Sequence, residues 1–252
     1  MESNTLRQRL QDGETTIGTF QIIDSPMVAE IAGIAGMDFV IIDQEHGPLT
    51  AETSLSLCAA AERGGASPIV RVRKSSEPEI QRALDIGAGG VQIPQIETRA
   101  DAEDAAAAAR FDPIGERGLS RYVRAGDYVG GDDYTDRQNE ETTVIVHIEG
   151  EEGVENVGEI ADVEGIDVLF LGPYDLSQSL GIPGQVRDPR VEAKMEEVCE
   201  RVEGTDTIVG TYADTPEMAE QWIRAGAQYV ALYVDCAILH DAMGDLVDAV
   251  DP

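Results

Sequence analysis

Four stretches of the sequence put ionisable side chains directly after short apolar runs. Phe39-Val40-Ile41-Ile42 leads into Asp43-Gln44-Glu45-His46-Gly47-Pro48, which sets two carboxylates and an imidazole at one strand end. In Ile69-Val70-Arg71-Val72-Arg73 the alternation sends both guanidinium groups to one face of an extended strand. Val144-Ile145-Val146-His147-Ile148-Glu149 does the same for His147 and Glu149, and Val168-Leu169-Phe170-Leu171 ends in Gly172-Pro173-Tyr174-Asp175-Leu176-Ser177.

Carboxylates from adjacent strands, without a partnering cysteine, suit a hard divalent cation that takes oxygen ligands and keeps positions open for substrate and water. Glu149 and Asp175 are the candidate ligands, and Arg71 would stand beside an electron-rich oxygen. A 2-oxo acid fits such a vacancy. Its carboxylate and keto oxygens chelate a metal, while metal and guanidinium together stabilise the enolate left when a proton departs. A Schiff-base route needs a buried lysine, but Lys74 has the opposite parity to Arg71 and Lys194 lies in a charged helical stretch. Each residue also has a structural reading. Arg73 fits a solvated charge, Arg71 fits a salt bridge equally well, and His240 fits a hydrogen-bonded helix residue. His147 differs, because an interior position shared with Glu149 is expensive to fill with two polar groups unless something binds them.

The elements that must position these residues recur along the chain. Eight apolar runs, at Thr16–Ile23, Asp38–Asp43, Pro68–Arg73, Gly90–Ile96, Thr142–Ile148, Asp167–Leu171, Thr207–Tyr212 and Tyr229–Asp235, read as strands. Helical stretches starting near Pro26, Thr50, Glu77, Thr98, Glu152, Pro189 and Thr215 lie between them, several stopped by a glycine. Eight parallel-type strands in 252 residues with no linker are the arithmetic of one closed (β/α)8 barrel domain over residues 1–252, with a doubly wound open sheet as the second choice. In a barrel all four strand ends meet at one mouth. Phe111–Glu141 breaks the rhythm as a long polar loop that would wrap a rim or reach a neighbouring subunit, its middle, Gly130–Asn139, being disordered on the plainest reading.

With these residues in view, the chain resembles the HpcH/HpaI family of metal-dependent pyruvate aldolases. The matching segments are Asp43–Pro48 (DQEHGP), Pro68–Arg71 (PIVR), Leu84–Pro94, Gly115–Gly118 (GERG), Ile148–Glu149 with Asn156, Gly165–Ser177 (GIDVLFLGPYDLS) and Gly226–Asp235. The resemblance implies a (β/α)8 barrel of the pyruvate-binding type that assembles into a homo-oligomer, trimer-based or hexameric. It also implies Glu149 and Asp175 as ligands of Mg2+, Mn2+ or Co2+ with no organic cofactor, and Arg71 on the pyruvyl oxygen. His46 would be the acid/base acting with a metal-held water, backed by Asp43 and Glu45. The substrate carboxylate would rest on backbone N–H groups of the turn formed by Gly172, Pro173, Tyr174 and Asp175. Asp85 matches an aspartate that partners the histidine, although a helix end on the far face would have to arrive from a neighbouring subunit. Departures bear on the substrate: His147 stands where the family commonly has glutamine, Tyr233 where it has glycine, and Tyr174 and Tyr212 bring bulk to the mouth. Protonation of His147 would lower activity at mildly acidic pH, and Arg121 and Arg124 in the long loop are candidates to meet an acidic or hydroxylated aldehyde. The expected reaction is reversible cleavage of a 4-hydroxy-2-oxo acid to pyruvate and an aldehyde. A citryl- or malyl-CoA lyase and a non-catalytic 2-oxo-acid-binding barrel are the rivals.

Charge excludes other partners. Eighteen basic residues against 49 acidic ones leave −31, a field that repels nucleic acid and anionic lipid. No run approaches the roughly 18 apolar residues of a membrane span, Met1–Gln11 is polar rather than signal-like, and three cysteines without metal or disulfide spacing suit a reducing cytoplasm. Only two of the basic residues are lysines. So acidic and lysine-poor a surface suits a salt-rich interior, where mobile ions screen its self-repulsion over a few ångströms. The melting temperature should therefore rise between dilute buffer and molar salt; the same value in both would contradict a salt-adapted surface.

Overall fold

The computed structural model describes residues 5–250, so the outermost residues of the expected 1–252 unit lie outside it. Eight strands, β1 (Thr16–Gln21), β2 (Phe39–Asp43), β3 (Ser67–Arg71), β4 (Gly90–Ile93), β5 (Thr143–Ile148), β6 (Val168–Leu171), β7 (Ile208–Ala213) and β8 (Tyr229–Val234), pair in parallel and in chain order, and β8 returns to β1. This is a closed (β/α)8 barrel. Period-two alternation gives each strand two apolar destinations. Val40, Ile42, Val70, Val144, Val146, Ile148 and Leu169 face the surrounding helices. Phe39, Ile41, Ile69, Ile145, Val168, Phe170 and Tyr229 fill the interior. The last inward position of several strands is therefore the one that reaches the mouth, and there the sequence places Asp43, Arg71, His147, Phe170 and Tyr212.

Interior packing is tight enough to dictate backbone. Phe39 and Tyr229 stack at 4.0 Å between ring centroids, and a Cβ at Gly18 would lie 2.2 Å from the Phe39 ring. Any larger residue at position 18 would force the stack apart.

The helices are α1 (Leu6–Gln11), α2 (Pro26–Ile34), α3 (Ala51–Gly64), α4 (Glu77–Asp85), α5 (Arg99–Ala109), α6 (Tyr134–Glu141), α7 (Glu151–Glu155), α8 (Val157–Ala161), α9 (Pro173–Ser179), α10 (Pro189–Val202), α11 (Pro216–Arg224) and α12 (Asp235–Asp248). Thr50, Thr98 and Thr215 cap their helices through side-chain oxygens, as their position before each helical stretch implies. Helix α1 contributes Leu6 and Leu10 to the interior cluster and so forms the floor of the barrel. Among the described residues no helix is long and apolar enough to cross a membrane.

The region 111–141 departs from expectation. Its middle is ordered: α6 buries Tyr134 against Phe111 at 5.6 Å, and the Asn139 amide exchanges hydrogen bonds with both backbone groups of Phe111. The segment packs near the strand beginnings, where Arg124 donates to the carbonyls of Ile86 and Gly87 and pairs with Glu62. Strand β3 also ends two residues early. Arg73 leaves the sheet, stays exposed and pairs with Glu79, which is the solvated reading rather than a shared face with Arg71.

A buried ionic cluster locks this lower rim. The Arg110 guanidinium donates to Asp167 Oδ2 at 2.6 Å and to the carbonyls of Gly165, Asn139 and Thr142, while Asp167 Oδ1 accepts from Arg7 Nε at 2.7 Å. Removing one member of so buried a set strands the opposite charge. Asp167→Ala should lower unfolding free energy by about 3–5 kcal/mol, read from chemical denaturation, and a loss below about 1 kcal/mol would show the cluster to be dispensable.

Candidate active site

The inward residues at the strand ends converge on a cleft of about 340 Å³ lined by side chains from β1, β2, β3, β5, β6, β7 and β8. On one side, Arg71 lies almost wholly buried. Its Nε and Nη2 donate to Asp43 Oδ1 and Oδ2 at 2.9 and 2.6 Å, a two-pronged pair, and Nη1 stands 3.2 Å from Glu45 Oε2. Its guanidinium carbon sits 4.8 Å over the Phe20 ring. Burial works against the charge on Arg71, but the Asp43 and Glu45 carboxylates outweigh it and hold the pKa above its usual range. Glu45 is pushed up to about 7, chiefly by burial, with Arg71 pulling the other way. Asp43 Oδ1 also accepts from the backbone N–H of Glu45 and His46, so the turn after β2 is folded around the carboxylate that holds Arg71. The salt bridge that the sequence left open for Arg71 is thus real, and it lies inside the cleft. His46 lines the same cleft, exposed at its edge.

Across the cleft stand Glu149 and Asp175. A Cβ at Gly172 would lie 3.5 Å from Glu149 Cβ and 3.7 Å from Asp175 Oδ2. The two acidic side chains therefore approach each other beside the Gly172 backbone. Glu149 Oε1 accepts from the backbone N–H of Gln95 at 2.9 Å and faces His147 Nδ1 at 3.2 Å. Gln95 adopts a left-handed φ of 60° to present that N–H. Burial opposes ionisation of Glu149, but the hydrogen bond from His147 and that backbone donor prevail and hold its pKa below the usual carboxylate range. Two carboxylate side chains beside Gly172, with no thiol, are a donor set that fits a hard divalent cation.

Beneath Glu149 runs a buried polar chain. The Tyr229 hydroxyl donates to Gln92 Oε1 at 3.2 Å, which turns the Gln92 amide nitrogen toward His147 Nε2. His147 must then accept at Nε2 and carry its proton on Nδ1, aimed at Glu149. Burial lowers the His147 pKa, so the imidazole stays neutral to more acidic pH than the sequence suggested. Its ring stacks on Phe170 at 4.7 Å. Gln92 and Tyr229 escaped the sequence reading because both sit inside apolar runs; an uncharged amide between Val91 and Ile93 was the available sign.

The third wall is aromatic. Phe20, Phe170, Tyr212 and Tyr174 meet edge to face, and both Asp214 oxygens lie 3.1 Å from the Tyr174 hydroxyl. Gly172, Pro173 and Tyr174 form the start of α9 at the cleft. Asp235 Oδ1 and Oδ2 accept from the backbone N–H of Ile22 and Ile23 and fasten the end of β1 to β8. Tyr233, two residues before it, has φ 60° in a β1–β8 irregularity, a left-handed backbone that glycine adopts most readily.

Three expected participants are not brought to the cleft within the chain. Asp85, at the end of α4, lies at the opposite end of the barrel and pairs with Arg117 at 2.8 Å. Arg121 donates to the Gly130 carbonyl and Arg124 is held at the lower rim, so neither faces the cleft.

Residues 16–242 match the family described as HpcH/HpaI aldolase/citrate lyase. The chain is 36% identical over 242 residues to 2-keto-3-deoxy-L-rhamnonate aldolase of Escherichia coli (strain K12), covering 96% of this chain and 91% of that protein. Its fold is similar to the crystal structure of an HpcH/HpaI aldolase/citrate lyase family protein from Burkholderia cenocepacia J2315, with TM-score 0.92, 34% identity and 97% and 98% of the two chains covered. It is also similar to citrate synthase SbnG, with TM-score 0.88, 33% identity and coverage of 97% and 96%. Sequence, barrel and the gathering of acidic residues about one buried arginine agree: the chain belongs to the HpcH/HpaI aldolase/citrate lyase family.

Proposed function

We propose that this barrel is a divalent-metal-dependent pyruvate aldolase that cleaves a 4-hydroxy-2-oxo acid to pyruvate and an aldehyde and runs the addition in reverse. The observation that carries the reading is the placement of a charged, carboxylate-braced Arg71 in one cleft with two acidic side chains, Glu149 and Asp175, that come together beside Gly172. The 36% identical relative, named 2-keto-3-deoxy-L-rhamnonate aldolase, supports the same class of 2-oxo acid.

Glu149 and Asp175 would hold the ion, Mg2+, Mn2+ or Co2+, which when bound supplies Lewis-acid stabilisation of negative charge on the 2-oxo oxygen. The rest falls to the chain. Backbone N–H groups at the Gly172–Asp175 turn receive the substrate carboxylate. Arg71, locked by Asp43 and Glu45, presents its guanidinium to the pyruvyl oxygen without having to reorganise. His46 takes the proton of the 4-hydroxyl; the C3–C4 bond breaks, its electron pair passes into the C2–C3 enolate, and the aldehyde departs. Returning a proton to C3 gives pyruvate. His147 keeps Glu149 ionised and oriented, and Tyr174 and Tyr212 border the space left for the aldehyde.

The working unit in this reading is one barrel per chain, in a cytoplasmic, salt-adapted homo-oligomer, trimer-based or hexameric, with Asp85 reaching His46 from a second copy. The exposed apolar residues Ile238, Leu239, Met243, Leu246 and Val247 of α12 support association.

Arg71→Ala and Glu149→Ala should each reduce pyruvate formation by roughly 10²-fold or more while circular dichroism stays native. A chelator should reproduce the loss and added dication should restore activity. A chelated enzyme with full activity would contradict the proposal.

A further inference from the structure

The half of the cleft left for the aldehyde has a chemical character of its own. Its wall is a continuous aromatic surface: Phe20 meets Phe170 at 6.2 Å and Tyr212 at 5.9 Å, and Tyr212 meets Tyr174 at 5.9 Å. Of the residues lining the cleft, Arg71 is the single arginine or lysine; three of its N–H groups meet Asp43 and Glu45, and the remainder serve the pyruvyl oxygen in the reading above. Asp214, directly after β7, adds a carboxylate behind the tyrosines, bound by the Tyr174 hydroxyl. Asp43, Glu45 and Glu149 stand about the Arg71 guanidinium, Asp175 lines the same cleft and Asp214 backs its aromatic wall, so acidic side chains outnumber the charges of one guanidinium and a bound dication even with Glu45 half-protonated. Arg121 and Arg124, the cations that could have met an acidic aldehyde, are held away from the cleft.

A ligand carboxylate on the aldehyde would be desolvated against an apolar wall, find no free cation, and face like charge. An uncharged chain gains the aromatic contact and incurs none of these costs. Resting on the aldolase reading above, we infer that the acceptor is an uncharged aldehyde with an apolar carbon end, selected by Phe20, Phe170, Tyr174 and Tyr212, and that Asp214 discriminates against carboxylated aldehydes. Tyr174 and Tyr212 thereby acquire a role in specificity rather than in moving protons.

The test uses the full chain with Mg2+ and pyruvate in molar salt. Exchange of the pyruvate methyl hydrogens for deuterium, with no aldehyde present, reports the enolate chemistry alone. Addition is then compared between 4-methylpentanal and succinic semialdehyde, which have similar length and differ in the charge of the branched end. The expected result is measurable exchange together with a kcat/KM for 4-methylpentanal at least roughly tenfold higher. In Asp214→Asn that ratio should fall several-fold. Exchange with equal or better use of succinic semialdehyde would overturn the inference and leave the aldolase reading standing. Absence of exchange would remove both. An unchanged ratio in Asp214→Asn would withdraw Asp214 from the discrimination.

Discussion

A guanidinium buried at the mouth of a barrel can stay ionised only if carboxylates are brought to it in fixed geometry, and that demand organises the upper half of this protein. Asp43 meets Arg71 with both oxygens because β2 and β3 pair in the register that sets them side by side. The same carboxylate collects two backbone N–H groups from the turn that carries Glu45 and His46. Arginine, aspartate and turn therefore form one unit. Burying such a pair contributes little net stability, since the desolvation of both ions offsets their attraction. Its benefit is a cation that is already aimed and already stripped of water.

The facing carboxylates are held differently. Glu149 is steadied from below by an uncharged chain, Tyr229 to Gln92 to His147, in which each residue donates to the next. Neutral groups can lie deep in an apolar interior at lower cost than ions, so the protein concentrates formal charge at the mouth. The His147 imidazole offers its donor toward Glu149 and adds a ring that stacks on Phe170.

Much of this was legible in the amino-acid order. All eight strands appear as apolar runs, because barrel strands are buried on both faces and cannot hide, and the strand-end polar residues fall where alternation sends them. What escaped had weak or distant signals. Helix α1 carries only Leu6 and Leu10 as inward residues, too few to mark a helix. Helix α6 is polar along its length, and its anchors, Tyr134 and Asn139, find their partners at Phe111, more than twenty positions earlier. Arg73 was drawn into β3 by local alternation, whereas pairing between β3 and β4 stops at Arg71. Gln92 and Tyr229 look like strand filler until the closed sheet brings opposite staves together.

Helix α1 has one more effect on the whole. Its Leu6 and Leu10 close the floor beneath an interior already filled by Phe39, Ile41, Ile69, Ile145 and Tyr229, so the cleft opens at the mouth alone. In the proposed reaction the pyruvyl fragment lies innermost, by Gly172 and Arg71, and the aldehyde lies outermost, beneath the half-exposed Tyr174. Traffic through one doorway is sequential: pyruvate must enter before its acceptor in synthesis, and in cleavage the aldehyde must leave before pyruvate can follow.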